Sequence, residues 1–215
     1  AVLIRVDSGG GIVHAYGLAA SQLKRIRDRG YKLIVSIDKV AASGGYMMAC
    51  VGQRIVAAPF AIIGSIGVVA QLPNLHRLLQ RRDVDIELHT AGAFKRTLTL
   101  LGENTPEGRE KFRQELDDTH ALFKQFVRQH RNRLDIDRVA TGEHWYGTQA
   151  LELRLVDEIS TSDDYLLRLL DQVQLYRLRY RVPRPLSRRL MGLGSRLGDV
   201  LWEKLSARNR PLLKG

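Results

Sequence analysis

Residues 33–46 read LIVSIDKVAASGGY, an apolar run followed by a turn of small residues that carries a serine. The run at residues 33–37 is typical of a strand that is buried on both faces of a parallel sheet. Ser43 stands between alanines and glycines, so a second peptide backbone can approach it closely. The stretch therefore predicts a core strand followed by a turn in which Ser43 is accessible to a substrate.

Strand-like and helix-like patterns alternate through the first 95 residues, which predicts βαβ units and a largely parallel sheet. Residues 1–6 predict a strand, and residues 7–11, with three consecutive glycines, predict a turn. The next segment predicts an amphipathic helix closed by Gly30. Its apolar face is predicted to consist of Ala15, Ala19, Leu23 and Ile26. A further strand is predicted at residues 84–89, just before Lys95.

A second amphipathic helix has a clear start signal in the sequence Thr105-Pro106-Glu107. Threonine is a favoured N-cap, proline suits the first turn, and an acid is favoured at this end of a helix. Core packing is the preferred interpretation of its apolar stripe, and an oligomer contact is the alternative. The stripe consists of Phe112, Leu116, Thr119, Phe123 and Phe126.

Length and charge predict one α/β domain at residues 1–172 and a basic extension at residues 173–215. Residues 171–215 contain eleven Lys/Arg and three Asp/Glu, so most of the net charge of +11 lies there. Alternating tyrosines and arginines from Tyr176 predict a strand, and leucines at helical spacing in residues 190–205 predict a basic amphipathic helix. Such a helix suits an anionic membrane surface, but subunit packing or simple solvation explains it equally well.

Residues 55–76 lack charged side chains and reach the length of about 20 residues that a membrane span needs. Glycines and prolines interrupt the segment, so a buried strand and turn is the preferred interpretation. The single cysteine, Cys50, excludes an internal disulfide and is predicted to be a small buried hydrophobe. Because the chain opens on a strand-like run, we expect an upstream segment that this sequence does not contain.

Three parts of an acyl-transfer site are present in the sequence. Ser43 is a candidate nucleophile, Lys95 a candidate base, and the glycine turns supply backbone N–H donors for an oxyanion. A lysine amine has a pKa near ~10.4 in water, so a lysine base has to be desolvated, and the neighbours of Lys95 are largely apolar. No pair of histidines has metal-ligand spacing. The residues thus predict a serine protease that uses lysine as its base.

Several ordered motifs resemble the signal peptide peptidase A family of serine proteases. They are DSGGG at residues 7–11, ASGGY at residues 42–46, GSIGV at residues 64–68 and FKR at residues 94–96. Residues 16–20, 95–100 and 102–105 are similar to the SohB branch of that family. The resemblance runs from residue 1 to about residue 159.

This resemblance implies a ClpP/crotonase-like α/β fold, with a largely parallel β-sheet and flanking helices, and assembly into homo-oligomers. It implies cleavage of peptides or membrane-associated polypeptides without metal, ATP or another cofactor. It also implies anchoring in the bacterial inner membrane by the absent N-terminal segment, with a periplasmic catalytic domain. No nucleic acid partner is expected, because the basic segment contains no known recognition motif.

Roles for five residues follow from the resemblance. Ser43 is the nucleophile, Lys95 the general base, and Ser65 orients the Lys95 amine. The backbone N–H groups of Gly10 and Gly44 form the oxyanion hole. The sequence departs from the family pattern at two other positions: Gly9 stands where proline is usual, and Arg154 stands where glycine is common.

Two other functions remain as alternatives at this point. A crotonase-type enzyme acting on an acyl-CoA thioester needs the glycine turns for its oxyanion, but it does not need Ser43 paired with Lys95. A non-catalytic scaffold at a membrane depends on the basic extension alone.

Overall fold

Two β-sheets and flanking helices form the part of the chain that the computed structural model describes, residues 1–180. The strands are β1 (Val2–Arg5), β2 (Leu33–Ile37), β3 (Val40–Ala42), β4 (Arg54–Ala57), β5 (Ile62–Gly64), β6 (His144–Tyr146) and β7 (Glu158–Ile159). The helices are α1 (Val13–Asp28), α2 (Gly44–Ala49), α3 (His76–Gln80), α4 (Pro106–His130), α5 (Ile136–Val139), α6 (Gly147–Glu152) and α7 (Ser162–Leu167). One unit spans Ala1–Gln172, and a second begins at Val173.

The larger sheet consists of four parallel strands in the order β1-β2-β4-β7. All five residues of the inner strand β2 are buried, and so are the last three residues of β4. Strands that are covered on both faces have no solvent side for polar residues, which explains the continuous apolar run at residues 33–37. The predicted strands at residues 1–6 and 33–37 and the parallel sheet are confirmed.

The smaller sheet brings the turns of the candidate site side by side. β3 pairs in parallel with β5, and β5 pairs antiparallel with β6. The register aligns Ala42 with Gly64, the last residues of β3 and β5. A parallel bridge between Ser8 and Ala41 attaches the chain after β1 to β3. This mixed α/β architecture confirms the predicted ClpP/crotonase-like fold.

Helices α1 and α4 contribute to the core with faces that differ in part from the predicted ones. On α1, Ala15 is exposed, whereas Ala20 is buried and Tyr16 is half-buried against the core. On α4, Phe123 and Val127 are buried, so the C-terminal half of this helix packs on the core as the preferred interpretation expected. Core packing is confirmed for that half of α4.

Two predicted strands are wrong. Residues 84–89 form no strand and are exposed, and Tyr176–Tyr180 of the alternating tail form none either. Both segments alternate apolar and charged residues, but a strand needs a neighbour to satisfy its backbone, and neither segment has such a partner within residues 1–180. The predicted amphipathic helix at residues 190–205 lies outside the described residues.

The charge-free segment at residues 55–76 forms β4, β5 and the turns around them, as the preferred interpretation expected. Within residues 1–180, no helix is both long enough and apolar enough to cross a membrane. Cys50 is fully buried, and its burial raises the pKa of the thiol to about 12. It is therefore a small core residue, as predicted.

Candidate active site

Ser43 occupies a sharp turn between β3 and α2. Its backbone φ is +53°, a left-handed conformation that is uncommon and costly for a residue with a side chain. Two hydrogen bonds hold it there: Ser43 N donates to the Gly64 carbonyl at 2.8 Å, and the Ser43 carbonyl accepts from Met47 N at 3.0 Å. Such strain is typical of functional sites, where the surrounding structure imposes the conformation.

The two glycines that follow Ser43 are required by close packing. A β-carbon on Gly44 would lie 2.4 Å from the Tyr16 ring, and one on Gly45 would lie 2.2 Å from the Ser8 carbonyl oxygen. Any larger residue would push the loop at residues 8–11 away from Ser43. The Gly44 N–H has no hydrogen-bond acceptor among the described residues, so it is available to a substrate oxygen.

Gly10 lies directly against the Ser43 turn. A β-carbon at this position would be 2.7 Å from Cβ of Ser43 and 2.8 Å from the Gly44 nitrogen. Its φ of +96° also favours glycine. The structure thus places Gly10 and Gly44, the two predicted oxyanion donors, beside the predicted nucleophile.

A closed ring of three hydrogen bonds holds the Gly10 loop in this position. The Tyr16 hydroxyl donates to the Gly10 carbonyl at 2.9 Å and lies 2.7 Å from Oγ of Ser8. Because the single hydroxyl proton of Tyr16 points to Gly10, Ser8 is the donor in the second contact. The Gly10 N–H in turn donates to Oγ of Ser8 at 3.3 Å, a long hydrogen bond.

Tyr16 and Ser8 received no role from sequence reasoning, although both lie within quoted motifs. The signal that identifies Tyr16 is helical spacing, since Tyr16, Ala20 and Leu23 follow one another at intervals of four and three residues. In the first half of α1 this face is shifted by one position from the predicted one, whereas Leu23 and Ile26 lie against the core as predicted. The shift directs the Tyr16 hydroxyl at the loop that precedes α1.

Ser65 occupies the turn next to that of Ser43. It follows β5 directly and has a φ of +50°, and its N–H donates to the Glu143 carbonyl at 2.6 Å. Since Ala42 and Gly64 are in register, Ser43 and Ser65 stand side by side at the ends of neighbouring strands. The structure therefore brings together Gly10, Ser43, Gly44 and Ser65.

Lys95 lies outside the strands and helices that carry this group. It is exposed, in a stretch at residues 84–101 that contains no helix or strand. Its backbone N–H donates to the Gly92 carbonyl at 3.1 Å. Within residues 1–180, no hydrogen bond joins the Lys95 amine to Ser43 or Ser65. No group of three or more metal-ligating side chains occurs in that same range.

Comparison with known proteins agrees with this arrangement of turns. Residues 25–176 match the profile of peptidase family S49, and residues 1–23 match the profile of the S49 N-terminal region. The chain belongs to peptidase family S49. The two matches together extend over both glycine turns, Lys95 and the whole α/β core.

Relatives of this S49 chain confirm the resemblance to the signal peptide peptidase A family and to its SohB branch. The chain is 63% identical over 185 residues to "Probable protease SohB" of Haemophilus influenzae, covering 86% of this chain and 52% of that protein. It is 61% identical over 166 residues to the protein of the same name from Buchnera aphidicola subsp. Schlechtendalia chinensis, covering 77% of this chain and 54% of the relative. The chain therefore spans about half the length of the curated relatives it matches.

Proposed function

We propose that this S49 chain is the catalytic part of a serine endopeptidase in which Ser43 is the nucleophile and Lys95 the general base. The observation that carries the proposal is the geometry of the Ser43 turn. A serine is held at positive φ between a strand and a helix, with two glycine N–H groups packed against it. An acyl-transfer site needs this combination of an accessible nucleophile and preorganised donors.

The two proposed oxyanion donors differ in whether their N–H group already makes a hydrogen bond within the chain. Gly44 N–H is ready to donate, whereas Gly10 N–H is directed at the Ser8 hydroxyl. A hydrogen bond to a charged oxygen is roughly twice as strong as one between neutral groups. A developing oxyanion therefore competes well with the 3.3 Å bond from Gly10 to Ser8.

Exposure of Lys95 supports a dyad that forms between two copies of the chain. Several large apolar side chains in residues 69–94 are at least half exposed, as is common where another protein surface packs. They include Val69, Leu78, Leu88 and Phe94. Contact with a second copy would bury this segment and desolvate the amine, and burial disfavours the charged form of an amine.

In the proposed reaction, the neutral Lys95 amine takes the proton of Ser43 Oγ as that oxygen attacks the peptide carbonyl carbon. The Gly44 and Gly10 N–H groups stabilise the resulting oxyanion. The tetrahedral intermediate collapses, the C–N bond breaks, and the Lys95 ammonium returns the proton to the leaving amine. Water, with its proton taken by Lys95, then hydrolyses the ester on Ser43. Ser65 orients the amine in both half-reactions.

Covalent labelling with a fluorophosphonate or β-lactone probe tests the nucleophile and the base together. We expect Ser43→Ala and Lys95→Ala each to abolish labelling, because the first removes the nucleophile and the second the group that activates it. Lys32→Ala is the matched control, since Lys32 is also an exposed lysine. Labelling that persists in Lys95→Ala at the wild-type rate would contradict the dyad.

Mixing the two inactive variants tests assembly between copies. Suppose that one copy supplies Ser43 and its neighbour supplies Lys95. A restored site then needs Ser43 from a Lys95→Ala copy and Lys95 from a Ser43→Ala copy. Random mixing of equal amounts places both correctly in about a quarter of the sites. Peptidase activity of the mixture, measured after subunit exchange, reports the result. A mixture as inactive as either variant alone would show that one chain supplies both residues.

The proposed substrates are peptides and membrane-associated polypeptides, and the proposed location is the periplasmic side of the bacterial inner membrane. The positive charge of residues 171–215 supports a location beside anionic lipid. Fractionation of cells, followed by protease treatment of spheroplasts, tests this location. Recovery of the full-length protein in the soluble cytoplasmic fraction would contradict it.

A further inference from the structure

A cleft of about 760 Å³ lies at one end of the strands of the parallel sheet. The candidate active site lies at the other end. Gly52 and Gln53, which line it, come directly before β4, and Asp157, which also lines it, comes directly before β7. The cleft therefore lies at the amino ends of these strands. The Gly10 loop follows the carboxyl end of β1, which runs parallel to them. The cleft and the Gly10 loop thus lie at opposite ends of the parallel strands of one sheet.

The cleft carries a surplus of positive charge. Among the described residues that line it, the basic side chains are Arg27, His130, Arg131, Arg133 and Arg154, and Asp157 is the only acid. The four arginines and one aspartate leave three positive charges in excess. A concave surface with one sign of charge focuses the field and attracts oppositely charged ligands.

The Asp157 carboxylate is already fully engaged. Asp157 accepts hydrogen bonds from Arg131 at 2.9 Å and 2.7 Å and from the Ile55 N–H at 2.7 Å. Arg27 donates to the Val51 carbonyl at 2.8 Å. Within residues 1–180, the guanidinium groups of Arg133 and Arg154 take part in no hydrogen bond or ion pair, so they are free to bind a ligand.

Arg154 is kept in a conformation that glycine would adopt more easily. It follows the last turn of α6 with a φ of +63°, a left-handed position of the kind that commonly ends a helix with glycine. An arginine here strains the backbone and places a guanidinium at the cleft. Departures from local rules concentrate at functional or strained sites, which makes the Arg154 side chain a candidate for a role at the cleft.

We propose that this cleft binds a small phosphate-bearing anion. Guanidinium groups present paired N–H donors that match phosphate oxygens, and they remain charged at all physiological pH values. A volume of about 760 Å³ is within the ~300–1,000 Å³ range of small-molecule sites. Three excess charges favour a ligand with several negative charges, such as a diphosphate. Leu134 and Val156 provide a small apolar part of the lining.

Titration calorimetry of the full chain with inorganic pyrophosphate at low ionic strength tests the site. We expect binding that weakens with added salt and that becomes at least about tenfold weaker in the double variant Arg133→Gln/Arg154→Gly, which removes two guanidinium forks. Arg109→Gln is the matched control and should bind as the wild type does. It removes one exposed charge near the start of α4, about 30 Å along that helix from His130.

Thermal unfolding of Arg154→Gly separates loss of a ligand site from loss of structure. Glycine relieves the strain at positive φ, so the Tm of this variant should rise while its affinity for pyrophosphate falls. A fall in Tm would show that the Arg154 side chain stabilises the fold and would remove the argument from strain.

Competition experiments identify the source of the phosphate group and decide whether the proposal holds. Displacement of pyrophosphate by phosphatidylglycerol vesicles assigns it to a lipid headgroup, and displacement by ATP assigns it to a nucleotide. Both results support the site. The proposal would be overturned if the wild type did not bind pyrophosphate or if the double variant bound it as tightly. It would also be overturned if Arg109→Gln lost as much affinity for pyrophosphate as the double variant, or if citrate bound as tightly as pyrophosphate.

Discussion

Tyr16 connects the N-terminal helix to the chemistry of the candidate site through its hydroxyl group. The side chain packs against Gly44, donates to the Gly10 carbonyl and receives a hydrogen bond from Ser8. Gly9 gives this loop none of the backbone rigidity that a proline would supply. The ring of hydrogen bonds around Tyr16 supplies a different restraint on the same loop.

Replacement of Tyr16 by phenylalanine should lower kcat/KM about fivefold. It removes the hydrogen bond to the Gly10 carbonyl, worth about 1 kcal/mol, that restrains the Gly10 donor, and it frees the Ser8 hydroxyl. The ring still fills the space beside Gly44, so Tm should fall by only about 2–4 °C. Steady-state peptidase kinetics and thermal unfolding check both quantities. Tyr31→Phe, at a more exposed tyrosine, is the control, and an equal effect in that variant would contradict a specific role for Tyr16.

Helix α4 joins the core to the segment that carries Lys95. Its C-terminal half buries Phe123 and Val127, whereas its first turn contacts the backbone just beyond Lys95. A β-carbon on Gly108 would lie 2.3 Å from the Thr97 carbonyl oxygen, so glycine is required for this contact. The position of Lys95 therefore depends on the start of this helix.

The N-cap of α4 should make a measurable contribution to stability. Thr105 accepts a hydrogen bond from Gly108 N at 3.0 Å, and removing such a cap costs about 1 kcal/mol of unfolding free energy. Urea unfolding of Thr105→Ala measures the loss. Thr119→Ala, at a half-buried position in the middle of the same helix, removes only a local hydrogen bond to the Glu115 carbonyl. It should be neutral or slightly stabilising because alanine has the higher helix propensity. Equal destabilisation by both substitutions would rule out a specific capping effect.

At the scale of the whole molecule, half-buried carboxylates connect distant parts of the chain. Asp38, which follows β2, accepts from Ser162 N and Ser162 Oγ at 2.7 Å and pairs with Arg5 at 2.6 Å. Burial alone would raise the pKa of Asp38, but the Ser162 hydrogen bonds and the Arg5 charge outweigh it and lower the pKa. Glu158 has a lowered pKa for the same kind of reason, with Arg168 and Arg54 as its partners.

These carboxylates should make the fold less stable in acid. A group whose pKa is lower in the folded chain than in the unfolded chain stabilises the fold above its unfolded pKa, and this contribution is lost as the pH falls through the folded pKa. Urea unfolding from about pH 7 to about pH 3 should therefore show falling stability, with a smaller fall in Asp38→Asn. Asp85→Asn, at an exposed position, is the control, and an unchanged pH dependence in Asp38→Asn would contradict this account.

The distribution of positive charge between the basic extension and the cleft is also a property of the whole molecule. The basic extension at residues 171–215 is visible in the sequence as a run of charges. The cleft beside Arg154 is not, because its five basic residues come from three separate parts of the chain. Only folding brings α1, the end of α4 and the end of α6 to one surface.

The sequence alone determined the parallel core, the serine turn and the start of α4. These features depend on local chemistry: a doubly buried strand needs continuous apolar residues, a close backbone contact needs glycine, and a helix start needs a cap. The motifs at residues 7–11, 42–46 and 64–68 also identified the family before any contact was known. Ser43, Gly10, Gly44 and Ser65 were selected on that basis, and the structure brings all four together.

Tertiary structure decided the features that depend on a neighbour elsewhere in the chain. The alternating residues 84–89 have the period of a strand, but no strand within residues 1–180 is placed to pair with them, so they remain irregular. The inward face of α1 contains Tyr16 instead of Ala15 because the loop at residues 8–11 lies against that side of the helix. The periodicity of a sequence indicates which residues share one face of a helix or strand. Pairing and packing between distant segments determine which of these faces is buried.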